Sequence, residues 1–276
     1  MAPRTTPTHA LWLLAAWTIL ATLWFVSPWF PMQPLAALQR ASGGWITVTL
    51  LASGLIGLVQ LAIVAGPGGQ RLRRLGWRAS RIPAALLLGL LLWALMQAGT
   101  LVAQAGSGSP LQPHPAWEAG LGVALGPLLA QLMGTALMEE TVFRGFLWPE
   151  LARRFGGGRR GAWLGALASQ ALFALMHLPI LWYHGLDTAA QASTLLTLFG
   201  VGLVFVLVYA TTRNLFVAVA VHALGNAPTL LFEPQGMAPT LWLFAGALAV
   251  CTLAFAWRRW RRRPRPALAG NETATA

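Results

Sequence analysis

Apolar stretches of about twenty residues recur from one end of this 276-residue chain to the other, and no other feature constrains its fold so tightly. Wound as an α-helix rising about 1.5 Å per residue, such a stretch matches a hydrocarbon core about 30 Å thick. Backbone N–H and C=O groups find no water there, so the helix, which bonds to itself, is the form the stretch takes. Only 9% of the residues are charged and 57% are hydrophobic, against about 25% charged in an average soluble domain. The expected fold is therefore all-α, a polytopic membrane protein. Eight spans are read, near residues 10–30, 45–66, 84–104, 119–148, 162–180, 190–211, 214–232 and 239–257.

Arginine placement tests that count. The basic excess, a net charge of +12, is carried by arginine without lysine, which points to a GC-rich, bacterial genome. Arg4, the group from Arg71 to Arg81, the group from Arg153 to Arg160, Arg213 and the run from Arg258 to Arg265 fall on every second side of the eight spans. The opposite loops hold only Arg40. Under the positive-inside rule this predicts an integral protein of the bacterial inner membrane with both termini cytoplasmic. The charge is thereby assigned to topology and to anionic lipid headgroups, with no nucleic acid implied. The first span is read as a retained helix, since its apolar run is too long for a signal peptide and no small-residue cleavage site follows. Three stretches result: residues 1–118 with the first three helices, 119–232 with the next four, and 233–276 with the last helix and a basic cytoplasmic tail.

Two adjacent carboxylates, Glu139 and Glu140, are the only acidic residues within the expected spans. An ionisable group at a helix centre in hydrocarbon costs about 2.5–3.5 kcal/mol on insertion scales, so such groups persist where they pair, line a cavity or do chemistry. Arg144, four residues on, shares the face of Glu140, whereas Glu139 is rotated by about 100° and left free. Gln131 and Thr135 precede Glu139 at four-residue steps, a polar stripe on the fourth span. Gln170, Phe173 and His177 share a face of the fifth, and His222 and Asn226 lie one turn apart on the seventh.

Counting about 1.5 Å per residue from the nearest arginines places Glu139 about 21 Å, His177 about 25 Å, His222 about 13 Å and Asn226 about 20 Å into the bilayer, one slab near its middle. The first three spans supply nothing comparable, so the expected site is built by the fourth, fifth and seventh. Taken singly, each residue has a plainer explanation: a structural ion pair, packing histidines, an interhelical amide bond. Cys251, the single cysteine, has no histidine in its own span and is read as a core or lipid-facing thiol.

Glu139-Glu140-x-x-x-Arg144, Phe173-x-x-x-His177 and His222-x-x-x-Asn226, in this order on apolar helices, resemble the three motifs of the CPBP family of intramembrane proteases, also called the Abi or type II CAAX prenyl protease family. The resemblance covers about residues 119–230 and no motif position departs from it. It implies an intramembrane endopeptidase acting on a membrane-embedded or lipid-anchored protein or peptide. Glu139 would then be the base that activates water, His177 would hold that water, and His222 with Asn226 would stabilise the oxyanion. Glu140, Arg144 and Phe173 would position them.

Metal participation stays open. Glu139, His177 and His222 could ligate a single zinc ion, but the chain lacks a His-Glu-x-x-His helix, and water activated directly by glutamate, without a cofactor, is the reading preferred. The rival classes are a non-catalytic membrane partner such as an immunity protein, and a proton-coupled transporter, although no paired broken helices mark a carrier. Topology is directly testable. A reporter fused after Arg265 is expected to score cytoplasmic, and a tag near Gln112 to be reachable from outside while one at Gly157 is not; an extracytoplasmic signal after Arg265 would overturn the arrangement.

Overall fold

The structure, a computed structural model, describes residues 6–108, 110–234 and 238–261. The basic tail expected after Trp257 lies outside the described residues from position 262 onward, as does Arg4. Helices α1 (Thr8–Phe25), α2 (Met32–Ala41), α3 (Val48–Ala65) and α4 (Ile82–Ser107) come first, followed by a single turn, α5 (Pro115–Glu118). The fourth apolar stretch comprises α6 (Leu121–Met133), α7 (Thr135–Glu140), a π-helical segment (Thr141–Leu147) and α8 (Trp148–Arg154). Then come α9 (Gly158–Leu175), α10 (Leu178–Tyr183), α11 (Thr188–Thr212), α12 (Leu215–Asn226) and α13 (Pro239–Arg261). Among the described residues there is no strand, only an isolated bridge between Pro113 and Phe232. The protein is an all-α polytopic membrane protein.

Among the described residues, seven helical stretches are long and apolar enough to cross a bilayer. The seventh expected span, residues 214–232, is corrected: its helix, α12, has 12 residues and rises only about 18 Å. Pro228 explains the stop, because a residue before proline is driven out of the helical region, and Ala227 stands at φ −139°, ψ 78°. The unwound chain beyond it is held by side chains. Trp93 donates from Nε1 to the carbonyl of Thr229 at 3.1 Å, Trp117 to that of Leu230 at 2.7 Å, and the Leu231 amide donates to Oε1 of Gln97 at 2.9 Å. Irregular backbone at membrane depth is tolerated where protein surrounds it, and α12 is enclosed nearly all round. Its Val217, Ala218 and Val221 pack with Leu92 and Met96 of α4, Phe205 of α11, and Leu243 and Cys251 of α13.

The arginine-rich ends of the helices are tied to one another. Asn214 donates from Nδ2 to the carbonyl of Arg81 at 2.8 Å, Arg154 from Nη2 to that of Thr6 at 2.7 Å, and Gln70 from Nε2 to Oγ1 of Thr6 at 3.2 Å. Arg258 donates to the carbonyl of Thr211. At the opposite end, His114 donates from its amide to Leu231, and Glu233 to Gln112. Gln97→Leu is expected to leave the Leu231 amide without an acceptor at a cost of about 1–3 kcal/mol, read as a lower unfolding temperature in detergent. An unchanged temperature would show that the unwound segment is not held by Gln97.

Candidate active site

Local backbone irregularity sets the site. Gly134 separates α6 from α7 at φ −124°, ψ −103°, and a Cβ there would stand 2.4 Å from the Ser53 hydroxyl of α3. From Thr141 to Leu147 the chain is π-helical, a form frequent at functional sites. Gly145 lets this segment approach the loop before α4, for its Cβ would come within 2.4 Å of the Leu75 carbonyl. That loop is further anchored by Trp77, which donates from Nε1 to Oγ1 of Thr141 at 2.9 Å.

Within this frame Arg144 is wholly buried, and its Nη1 lies 3.0 Å from Oε1 of Glu140, which is equally buried. Nη2 donates to Oε1 of Gln170 on α9 at 2.8 Å and to the carbonyl of Gly202 on α11 at 3.1 Å. Gln170 is turned toward Arg144 by its own Nε2, which donates to Ser169 at 3.1 Å. The guanidinium also sits over the rings of Phe173 and Phe205, 4.8 and 5.1 Å from their centroids. Gly202 is required by space: a Cβ there would meet Oε1 of Gln170 at 2.6 Å.

His222 joins the two carboxylates. Its Nδ1 lies 2.8 Å from Oε1 of Glu140, its Nε2 lies 3.6 Å from Oε2 of Glu139, and its ring stacks on Phe205 at 4.6 Å between centroids. Oε1 of Glu140 therefore serves both Arg144 and His222. Glu139 keeps about 16% of its side chain exposed and opens onto a cavity of about 220 Å³. His177 lines the same cavity, with Nδ1 donating to the carbonyl of Phe173 at 2.8 Å. A neutral ring bonded in this way carries its lone pair on Nε2.

Asn226 is placed apart from this group. It is exposed, it does not line the cavity, and its Nδ2 donates to Oε1 of Gln131 at 3.0 Å. The expected polar stripe is split for the same reason: Thr135 and Glu139 face the cavity, while the break at Gly134 leaves Gln131 beside Asn226. The expectation that the first three spans contribute nothing is also corrected. Thr18 and Thr22 of α1 and Ser53, Gly57 and Gln60 of α3 form the opposite cavity wall, and Gln60 donates to Thr18 at 3.0 Å. Spacing could have shown this, since residues 53, 57 and 60 share a helical face, as do 18 and 22. Phe205 and Gly202 of α11 carried no such signal. Among the described residues no group of three or more His, Cys, Asp or Glu side chains is arranged to hold a metal ion.

Residues 121–228 match the family described as type II CAAX prenyl endopeptidase, Rce1-like. This stretch is similar to an Rce1-like domain. It begins with α6, ends two residues beyond α12, and contains Glu139, Glu140, Arg144, Phe173, His177, His222 and Asn226. No curated protein and no solved structure matches the chain.

Arg144→Ala is expected to cost about 3–5 kcal/mol, because it strands Glu140 in a buried site. Gly202→Ala should lower stability in the same direction by displacing Gln170. Thermal unfolding in detergent checks both, and an Arg144→Ala protein as heat-resistant as the unaltered one would refute the anchoring role.

Proposed function

We propose that the protein is an intramembrane endopeptidase that hydrolyses a peptide bond in a membrane-embedded or lipid-anchored protein or peptide. The observation carrying this reading is the common cavity of Glu139 and His177, with His222 3.6 Å from Glu139, inside an Rce1-like domain. Phe25, Ile56, Met138, Phe143, Met176 and Ile180 supply the rest of its wall, so an apolar substrate group would be sheltered beside the base. The arginine-rich end of the bundle is assigned to the cytoplasm under the positive-inside rule.

In this mechanism Glu139 takes a proton from water, and the water oxygen adds to the carbonyl carbon of the scissile bond. Nε2 of His177 accepts the second O–H of that water and so turns a lone pair toward the carbonyl. As the tetrahedral centre collapses, the C–N bond breaks and the proton held by Glu139 passes to the leaving amine, giving a carboxylic acid and an amine; the acid's remaining proton then passes to the amine, leaving a carboxylate and an ammonium product.

His222, held by Glu140 at Nδ1, would in its doubly protonated form donate through Nε2 to the developing oxyanion. Glu139 activates the water directly, and no step is routed through a metal.

Glu139→Gln is expected to abolish cleavage of a membrane peptide by purified protein while leaving insertion intact. His222→Ala, which removes the donor beside Glu139, should lower turnover about a hundredfold with substrate binding largely kept. Chelators should not inhibit. Cleavage that persists in Glu139→Ala protein would remove the assignment to this site, and reversible inhibition by a chelator with loss of a stoichiometric metal from His177→Ala would replace the mechanism.

A further inference from the structure

A second cavity, about 560 Å³ in volume, lies at the arginine-rich end of the bundle, away from Glu139. Its charged lining consists of Arg73, Arg74, Arg78, Arg81 and Arg213, with no carboxylate among the residues that form it. Trp148 and Tyr209 supply aromatic walls. Two separate parts of the chain, residues 73–81 and the turn at Arg213, thus bring five cations to one concave space.

The backbone that presents them is fixed. Leu75, between Arg74 and Arg78, is buried to 1% exposure, and Trp77 is bonded to Thr141. Gly76 takes φ +101° where a Cβ would stand 2.9 Å from Leu215. Arg213 adopts the left-handed conformation at φ 55°, and Asn214 joins this turn to Arg81.

Topology alone does not call for such an arrangement, since a positive-inside signal needs arginines near a helix end but not gathered round a cavity. The neighbouring cluster behaves differently. Arg153 and Arg154 both pair with the buried Glu150, so that cluster supplies its own counter-charge. None of the five cavity arginines makes an ion pair with a described carboxylate.

A fixed, concave, unneutralised set of guanidinium groups matches the chemistry of phosphate, which arginine binds through paired N–H donors. Position selects the source. The cavity opens at the level of the helix ends, beside a tryptophan and a tyrosine of the type that sits among headgroups, and basic pockets between transmembrane helices on this side of a membrane take up anionic lipid. We propose that this cavity binds the phosphate of an anionic phospholipid headgroup, as a site separate from the catalytic one.

The test uses the purified full chain in neutral detergent, with bound lipid counted by native mass spectrometry and heat resistance measured by thermal unfolding. Added phosphatidylglycerol is expected to bind and raise the unfolding temperature where phosphatidylcholine does not. Arg78→Gln with Arg81→Gln should weaken binding about tenfold or more, and Arg73→Gln with Arg74→Gln, on the exposed side of the loop, gives a second pair should the first fold poorly. Arg159→Gln with Arg160→Gln, exposed arginines that do not line the cavity, is the control for general surface charge.

Loss in the cavity pairs and retention in the control supports the site. Equal loss in the control overturns it, as does failure of phosphatidylglycerol to bind at all. Stabilisation by inorganic phosphate equal to that by phosphatidylglycerol overturns the lipid assignment in favour of a soluble anion.

Discussion

The arrangement of the whole second half of the chain depends on keeping one guanidinium out of water. A charge at the centre of a helical bundle survives only with a counter-charge and hydrogen bonds around it, and Arg144 draws these from several helices. Glu140 comes from its own helix one turn back, Gln170 from α9 and the Gly202 carbonyl from α11, with Phe173 and Phe205 across its faces. His222 of α12 then docks on the same oxygen of Glu140. The arginine is thus the reason that α7, α9, α11 and α12 have one relative register, and its removal unbalances a buried carboxylate in each case.

Irregular backbone is confined to places where other protein groups replace the missing helical bonds. The π-helical segment offers the Phe143 carbonyl to Ser169 at 3.1 Å, and the chain after α12 is capped by two indoles and the Gln97 amide. Both irregularities flank the site. They allow Glu139 and His222 to approach across helices that would be held apart by uniform packing, at the cost of specific polar partners in α4 and α9.

Much of this was legible before any coordinates. Apolar length gave the all-helical membrane architecture, and i to i+4 spacing anticipated the Glu140–Arg144 pair, because these signals depend on helix geometry alone. What spacing could not convey was where a helix ceases to be regular. Helical spacing sets Asn226 one turn from His222, but it does not show that the break at Gly134 brings Gln131 to the Asn226 amide. The short extent of α12 was hidden for a related reason: its apolar composition reflects burial in protein as well as passage toward the far side of the membrane. Partners such as Gly202, which acts through a carbonyl and the absence of a Cβ, have no side-chain signature that a residue pattern could register.

The adjacency of Glu139 and Glu140 acquires a physical meaning from these contacts. Consecutive helical residues differ by about 100° in direction, enough to send one carboxylate into the ion pair and the other to the cavity while both remain within reach of one imidazole. The two environments differ accordingly: Glu140 has no exposed side-chain surface, whereas Glu139 retains some and shares its cavity with His177. A single carboxylate could not serve both ends, since the oxygen facing Arg144 and His222 is already doubly engaged. Separating the anchoring charge from the free one by a single residue lets the buried pair fix the helix on which the cavity carboxylate stands, so that rigidity at Glu140 becomes orientation at Glu139.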